Sequence, residues 1–147
     1  MHFEGSETIR ASRQTVWDFL TDPETVAQCA PGLQSMEIIE PGKTFQAVAS
    51  VGIGSMKATF KTDVEWVELD EPNRAKMKAQ GNAQGSAVEA TTEMELKDLG
   101  DGSTELIWTA DVAVMGTIAS LASRMMGGVT QKLTAEFFSC VKEKIEA

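Results

Sequence analysis

Proton transfer and metal chemistry start from side chains that can hold a proton or an ion, and this sequence offers one histidine, His2, and two cysteines, Cys29 and Cys140. A zinc or copper site needs several such ligands converging, whereas His2 sits at the amino terminus and the cysteines are separated by most of the chain. No metal site and no cofactor is expected. The same shortage of imidazole removes Ser-His-Asp and Cys-His arrangements, which need a base beside the nucleophile. Two cysteines are too few for a disulfide framework, so both are expected reduced, as small buried hydrophobes. His2 reads as a solvated terminal residue.

Carboxylates are abundant. Glu93 and Glu95 flank Met94 and share the outward face of a strand pattern, which makes them solvated surface rather than an acid–base pair. Glu7 alternates in phase with Phe3 and Ile9, and a carboxylate on that inner face needs a partner or a raised pKa. Thr62 and Thr92 are also in inward phase. Two readings stand for these three. They are polar contacts for a ligand headgroup, or Glu7 lies near an open end of the sheet while the threonines bond neighbouring backbone. Gly52-Ile53-Gly54 and Gly81 to Gly85 are glycine-rich, yet neither sits between a strand and a helix, where amides cradle phosphate. Both read as hairpin turns or bulges.

The elements that position these residues follow from periodicity. Apolar residues alternate from Phe3 to Ile9, a first strand that Gly5 weakens. Ser12 caps a helix carrying Val16, Trp17, Phe19 and Leu20, and Asp22 caps a second short helix with Pro23 at its first position. Pro31-Gly32 ends it. Six runs of period two follow, separated by turns such as Pro41-Gly42, Asp70-Glu71-Pro72-Asn73 and Gly100-Asp101-Gly102. One face of these runs is apolar and the other charged, as in an antiparallel sheet with one covered face. From Thr117 to Ile145 the period becomes helical, with Ile118, Leu121, Ala122, Met125, Met126, Val129, Leu133, Phe137 and Val141 on one side. At 1.5 Å per residue, Ile118 to Ile145 spans about 42 Å, enough to cross a curved sheet. The expected class is α+β, one domain over residues 1–147: a curved antiparallel sheet of about seven strands around a long carboxy-terminal helix, with two short helices after the first strand.

Composition excludes several functions. The 147 residues carry 13 basic and 22 acidic side chains, a net charge of −9, with the negative charges spread along the chain. That charge repels phosphate backbones and anionic leaflets, and Lys and Arg nowhere cluster, so nucleic acid is not an expected partner. The longest uncharged stretch, Val112 to Ser123, falls short of the ~20 residues of a spanning helix. The amino terminus lacks the pattern of a secretory signal, and a cytoplasmic address is expected.

The inward-phase residues include Phe45, Met56, Phe60, Trp66, Met77, Met94 and Trp108, opposite Met125, Met126, Val129 and Leu133 of the helix. Methionines adapt to irregular shapes, and small residues such as Ala47, Ala58, Ala79, Ala90 and Ala110 leave space, so this wall suits an apolar ligand as well as an ordinary core. Gly127 and Gly128, adjacent within the helix, cost about 1 kcal/mol each relative to alanine. They mark either a gate or a close approach by a strand or a second copy of the chain.

The order of elements resembles the START-like (SRPBCC) superfamily and, within it, the CoxG family of carbon monoxide dehydrogenase. The resemblance rests on Val16-Trp17-Asp18-Phe19-Leu20-Thr21-Asp22-Pro23-Glu24, Cys29-Ala30-Pro31-Gly32, Gly81 to Gly85, and Gly116-Thr117-Ile118-Ala119 running into Leu121-Ala122-Ser123-Arg124 and Phe137-Phe138. It implies a helix-grip fold with a cavity between sheet and helix, lipid or quinone-like ligands, and an accessory, assembly or membrane-recruiting role beside a molybdenum-containing CO dehydrogenase. It also makes Gly81 to Gly85 a candidate rim of the cavity mouth. Two departures stand out. This chain stops at Ala147 where some relatives continue into a hydrophobic tail, so only transient contact, peripheral at the inner face of the membrane, is expected. Ala122 stands where the family usually has glycine.

The expected function is thus non-catalytic binding of an apolar small molecule. Phe45, Met56, Phe60, Met77, Met94, Trp108, Met125, Met126, Val129 and Leu133 are its candidate wall, Glu7, Thr62 and Thr92 its polar contacts, and Gly127 and Gly128 its gate. The partners implied are a CO dehydrogenase-like molybdenum hydroxylase and a second copy in a homodimer. The alternatives are a polyketide cyclase or dehydratase, against which the absence of tyrosine and of an inward histidine argues, and a docking protein with a filled core.

Overall fold

The computed structural model describes residues 1–53, 56–83 and 85–146, the side chains of Ile53 and Met56 excepted. Seven strands, β1 (His2–Ile9), β2 (Leu33–Glu40), β3 (Thr44–Ile53), β4 (Met56–Asp70), β5 (Arg74–Ala83), β6 (Ser86–Asp98) and β7 (Thr104–Gly116), form one sheet. Their spatial order is β1-β7-β6-β5-β4-β3-β2, and every neighbouring pair is antiparallel. Sequential hairpins build the sheet from β2 to β7, and β1 then pairs with β7. Helices α1 (Arg13–Thr21) and α2 (Pro23–Ala27) fill the crossover between β1 and β2, and α3 (Ala119–Glu146) lies across the concave face.

The caps expected from sequence are in place. The Ser12 hydroxyl accepts from the Thr15 amide at 3.3 Å, and the Asp22 carboxylate from the Glu24 amide at 3.0 Å, with Pro23 at the first turn of α2. Each satisfies an amide that the first helical turn leaves without a partner. Helix α1 buries Val16, Trp17 and Leu20. The Trp17 indole N–H also donates to Glu71 at 3.1 Å, tying α1 to the turn between β4 and β5.

Gly5 weakens β1 by propensity, but the tertiary structure needs it. It faces Trp108 of β7 across the ladder, and a Cβ at this position would stand 2.9 Å from the indole. The bare backbone lets the ring lie flat across the edge strand. On β4 a bulge between Trp66 and Glu68 shifts the register, and beyond it Val67 and Leu69 turn outward and are exposed.

The main core fills one end, where Ile9, Val16, Trp17, Leu20, Ala75, Leu96 and Leu106 meet Phe138 and Val141 of α3. A smaller cluster of Phe60 and Ile118 holds the other. Helix α3 contains 28 residues and runs unbroken through Gly127 and Gly128. Its last turn is clamped to the end of β1, with Glu146 accepting from the Arg10 amide at 3.0 Å and from its guanidinium at 3.1 Å. The amide bond foremost, aided by the guanidinium, lowers the Glu146 carboxyl below its ordinary value.

The cysteines correct the sequence reading. Cys29 and Cys140 are not reduced; they form a disulfide with Cα atoms 5.4 Å apart, joining the end of α2 to α3. Their separation of 111 residues concealed a pairing that only the seating of α2 on the last turns of α3 creates.

Candidate functional site: an apolar interior in two chambers

Between the concave face of the sheet and α3 lie two apolar chambers, of about 340 and 190 Å³. They sit end to end. Along β5 Met77 lines the larger and Ala79 the smaller; along β6 Thr92 and Ala90 divide in the same way, and along β7 Val112 and Val114. One step of period two carries the wall from one chamber to the next, so each of these strands contributes to both from its inward residues.

The larger chamber is walled by Phe45, Trp66, Met77, Met94, Trp108 and Ala110 from the sheet, Phe137 and Phe138 from α3, and Leu20, Pro23 and Val26 from the helix pair. The smaller one is walled by Phe60, Thr62, Gly81, Val88 and Val114, under Ile118, Ala122, Met126 and Leu133. Ala122, the departure from the usual glycine, is fully buried there, so its methyl group takes space from the smaller chamber. Gly81 has the converse role. A Cβ on it would meet the Thr62 hydroxyl at 3.0 Å and Phe60 at 3.5 Å. It is therefore a wall of the smaller chamber within β5 rather than part of a turn.

Among the described residues, no acid, base or histidine lines either chamber. Thr62 and Thr92 bring one hydroxyl each, and neither hydroxyl bonds protein among the described residues. Thr134, also at the larger chamber, instead donates to the Thr130 carbonyl at 2.8 Å. Two open grooves of about 540 and 550 Å³ also occur, lined by side chains such as Asp63, Glu65, Lys78 and Glu89, or Arg13, Asp70, Arg74 and Glu95. Their charged walls are solvated surface and lack the dry character of a ligand pocket.

Of the wall residues expected from sequence, Phe45, Met77, Met94 and Trp108 meet in the larger chamber, and Phe60, Met126 and Leu133 in the smaller. The Met56 side chain lies outside the described residues. Met125 does not point inward: it is exposed and lines neither chamber, as its neighbour Met126 takes the inward side of the helix. Val129 is half-buried and also lines neither. Glu7 stays out of the chambers; Lys142 donates to it at 3.0 Å near the end of α3. Gly127 and Gly128 are exposed, and a Cβ on either would meet nothing within 4 Å, which rules out close approach by a strand of this chain.

Sequence reasoning missed the contribution of the helix pair. Leu20, Pro23 and Val26 recur every third residue across the Asp22 cap, and that spacing was the available signal. His2, taken as solvated, is exposed but lies within β1 and bonds Asp111 at 2.8 Å and Glu4 at 3.3 Å. The Asp111 bond, then the Glu4 bond, raises its pKa above the ordinary imidazole value. Glu93, on the outer face, pairs with Lys76 at 3.9 Å. Among the described residues no group of three His, Cys, Asp or Glu is placed to hold a metal, and no helix is long and apolar enough to cross a membrane.

A seven-stranded antiparallel sheet gripping one long helix around an apolar interior defines a START-like, helix-grip protein. Solved structures agree. The chain is similar to a conserved protein from Geobacillus kaustophilus, with 27% identity, 99% of this chain and 95% of that one covered, and a TM-score of 0.91. It is also similar to the Zhui aromatase/cyclase from Streptomyces sp. R1128 (19% identity, 99% and 93% covered, TM-score 0.77) and to a START superfamily protein from Mycobacterium smegmatis (14%, 99% and 97%, 0.70). The last two likenesses show the fold alone. The chain belongs to the CoxG (carbon monoxide dehydrogenase G-subunit) family, whose sequence pattern matches residues 5–146. No curated protein sequence matches it.

Proposed function

We propose that the two chambers hold a lipophilic small molecule, a lipid or a quinone, and that the protein carries it without catalysing a reaction, as an accessory, assembly or membrane-recruitment factor for a CO dehydrogenase-like molybdenum enzyme. The observation that carries this reading is the size and dryness of the larger chamber. At about 24 cal/mol per Å³, an empty void of about 340 Å³ costs about 8 kcal/mol. That is comparable with the whole stability of an ordinary domain, about 5–15 kcal/mol, so an apolar occupant stabilises what packing alone does not. The unpaired hydroxyls of Thr62 and Thr92 are the polar contacts in this reading, one per chamber.

The second reading, a cyclase or dehydratase, draws on the likeness to the Streptomyces aromatase/cyclase. General acid–base work needs a titratable group within hydrogen-bond reach of the substrate, and the described residues of the two chamber walls supply none. The third, a docking protein with a filled core, is opposed by the chambers themselves. The family name supports the CO dehydrogenase partner. A cytoplasmic address belongs to the proposal too; in that reducing compartment the Cys29–Cys140 bridge depends on burial, and Cys29 is only 5% exposed.

Native mass spectrometry of gently purified protein tests the carrier reading. A bound apolar mass, released by organic extraction and absent from the denatured chain, is expected. Protein that repeatedly arrives empty and takes up no lipid or quinone from mixed micelles counts against it.

The gate at Gly127 and Gly128 is part of the same proposal. Because a Cβ at either position enters open space, Gly127→Ala with Gly128→Ala is expected to stabilise the fold by about 1 kcal/mol per site. It is also expected to slow ligand exchange by stiffening the helix above the smaller chamber. Raised stability with unchanged exchange kinetics removes the gate and leaves only the propensity effect.

A further inference from the structure

Acidic residues are scattered through the sequence but not over the folded surface. Residues 41–62, 72–88 and 112–135 contain no Asp or Glu. Folding brings parts of all three to one end of the sheet. The β3–β4 hairpin closes there at Ile53 opposite Met56, the β5–β6 hairpin at Ala83 opposite Ser86, and β7 ends at Gly116 opposite Ser86. The Thr117 amide donates to the Gly85 carbonyl at 2.9 Å, so α3 begins at the same end. Lys57 on β4 and Arg124 on α3 are exposed there, and neither makes an ion pair among the described residues. Met115 and Met125 are also exposed, at 44% and 37%. Behind this surface lies the smaller chamber, roofed by Ile118, Ala122 and Met126.

We propose that this acid-free end is a docking surface for an anionic lipid bilayer, with Lys57 and Arg124 engaging headgroups and Met115 and Met125 entering the interface. The net charge of −9 opposes such a partner for the chain as a whole. The arrangement reverses that at this end. At about 3.3 Å per residue, Asp63 is about 20 Å along β4 from Lys57, and Glu89 about 10 Å along β6 from the hairpin at Ser86. At about 1.5 Å per residue, Glu136 is about 18 Å along α3 from Arg124. With a screening length of about 8 Å at physiological salt, a surface touching this end meets the two cations and little of the acidic charge behind them. An exposed methionine beside each cation favours the headgroup boundary, where apolar and charged groups are both accommodated, over an acidic protein partner.

The test is flotation of the full chain with vesicles of phosphatidylcholine alone and of phosphatidylcholine mixed with phosphatidylglycerol, over a series of salt concentrations. Capture by the mixed vesicles only, weakening as salt rises, is expected. Lys57→Gln or Arg124→Gln is expected to weaken capture about fivefold, and the pair roughly 25-fold, at unchanged melting temperature. Lys43→Gln, in the β2–β3 turn at the opposite end, is expected to leave capture unchanged. The proposal is overturned if the wild-type chain ignores mixed vesicles, if the double variant floats as well as wild type, or if Lys43→Gln costs as much as Arg124→Gln. Retention on polyglutamate without flotation overturns it in favour of an acidic protein partner. Capture is read without any cavity ligand, so its failure leaves the carrier reading intact, and an empty cavity leaves the docking surface intact.

Discussion

Ala110→Trp is expected to abolish ligand binding while leaving the fold in place. Ala110 lies on β7 between Phe3 of β1 and Thr92 of β6, with its methyl group on the larger chamber. An indole there occupies volume that is otherwise open, so the penalty of overpacking, about 1–3 kcal/mol in a filled core, is largely avoided. Filling cavities commonly stabilises by about 0.5–2 kcal/mol. A ligand excluded from this space loses about 0.8 kcal/mol for each methylene left in water, so displacing four of them weakens binding by more than about 100-fold. Trp66 and Trp108 line the same chamber, and their fluorescence reports its occupancy directly. Titration with an apolar quencher, together with thermal unfolding, makes the measurement. Undiminished affinity in a folded variant would show that the ligand sits elsewhere.

The second large effect concerns the disulfide. Replacing Cys29 and Cys140 together by serine is expected to cost about 2–5 kcal/mol, because a bridge closing a loop of order 100 residues restricts the unfolded chain strongly. For a domain of this size that corresponds to a fall in melting temperature of roughly 10 °C. Reductant is expected to bring wild type to the value of the double variant and to leave the variant unmoved. The bridge joins α2, which supplies Pro23 and Val26 to the larger chamber, to α3, which supplies Phe137 and Phe138. Its loss therefore loosens one wall of the cavity, and ligand release is expected to accelerate with it. Two titratable thiols in the native protein under non-reducing conditions would sink both expectations.

The wall of the site was legible where period decides direction. In a strand successive side chains alternate faces, so Phe45, Phe60, Met77, Met94 and Trp108 had to share one side once the strands were recognised. Direction on α3 was less secure. Its apolar residues cover more than one stripe, and the adjacent pair Met125-Met126 cannot both face the sheet, since neighbours on a helix stand about 100° apart. Only the seating of the helix selects Met126. Glu7 was legible as inward in phase, but phase does not give depth. The partner that draws it aside, Lys142, comes from the far end of the chain. Gly5 looked like a weakness until Trp108 was set across it.

By itself the sequence determined the class of fold, the caps of α1 and α2, the inward residues of the strands and the length of the covering helix. All of these depend on local geometry with a period of two or 3.6 residues, or on contacts a few positions apart. Only the tertiary structure decided what depends on distance: the Cys29–Cys140 bridge, the part played by Leu20, Pro23 and Val26 in the wall, the division of the interior into two chambers, and the gathering of the acid-free segments at one end. Residues brought together across a hundred positions leave no periodic trace, because their meeting is set by how whole elements pack.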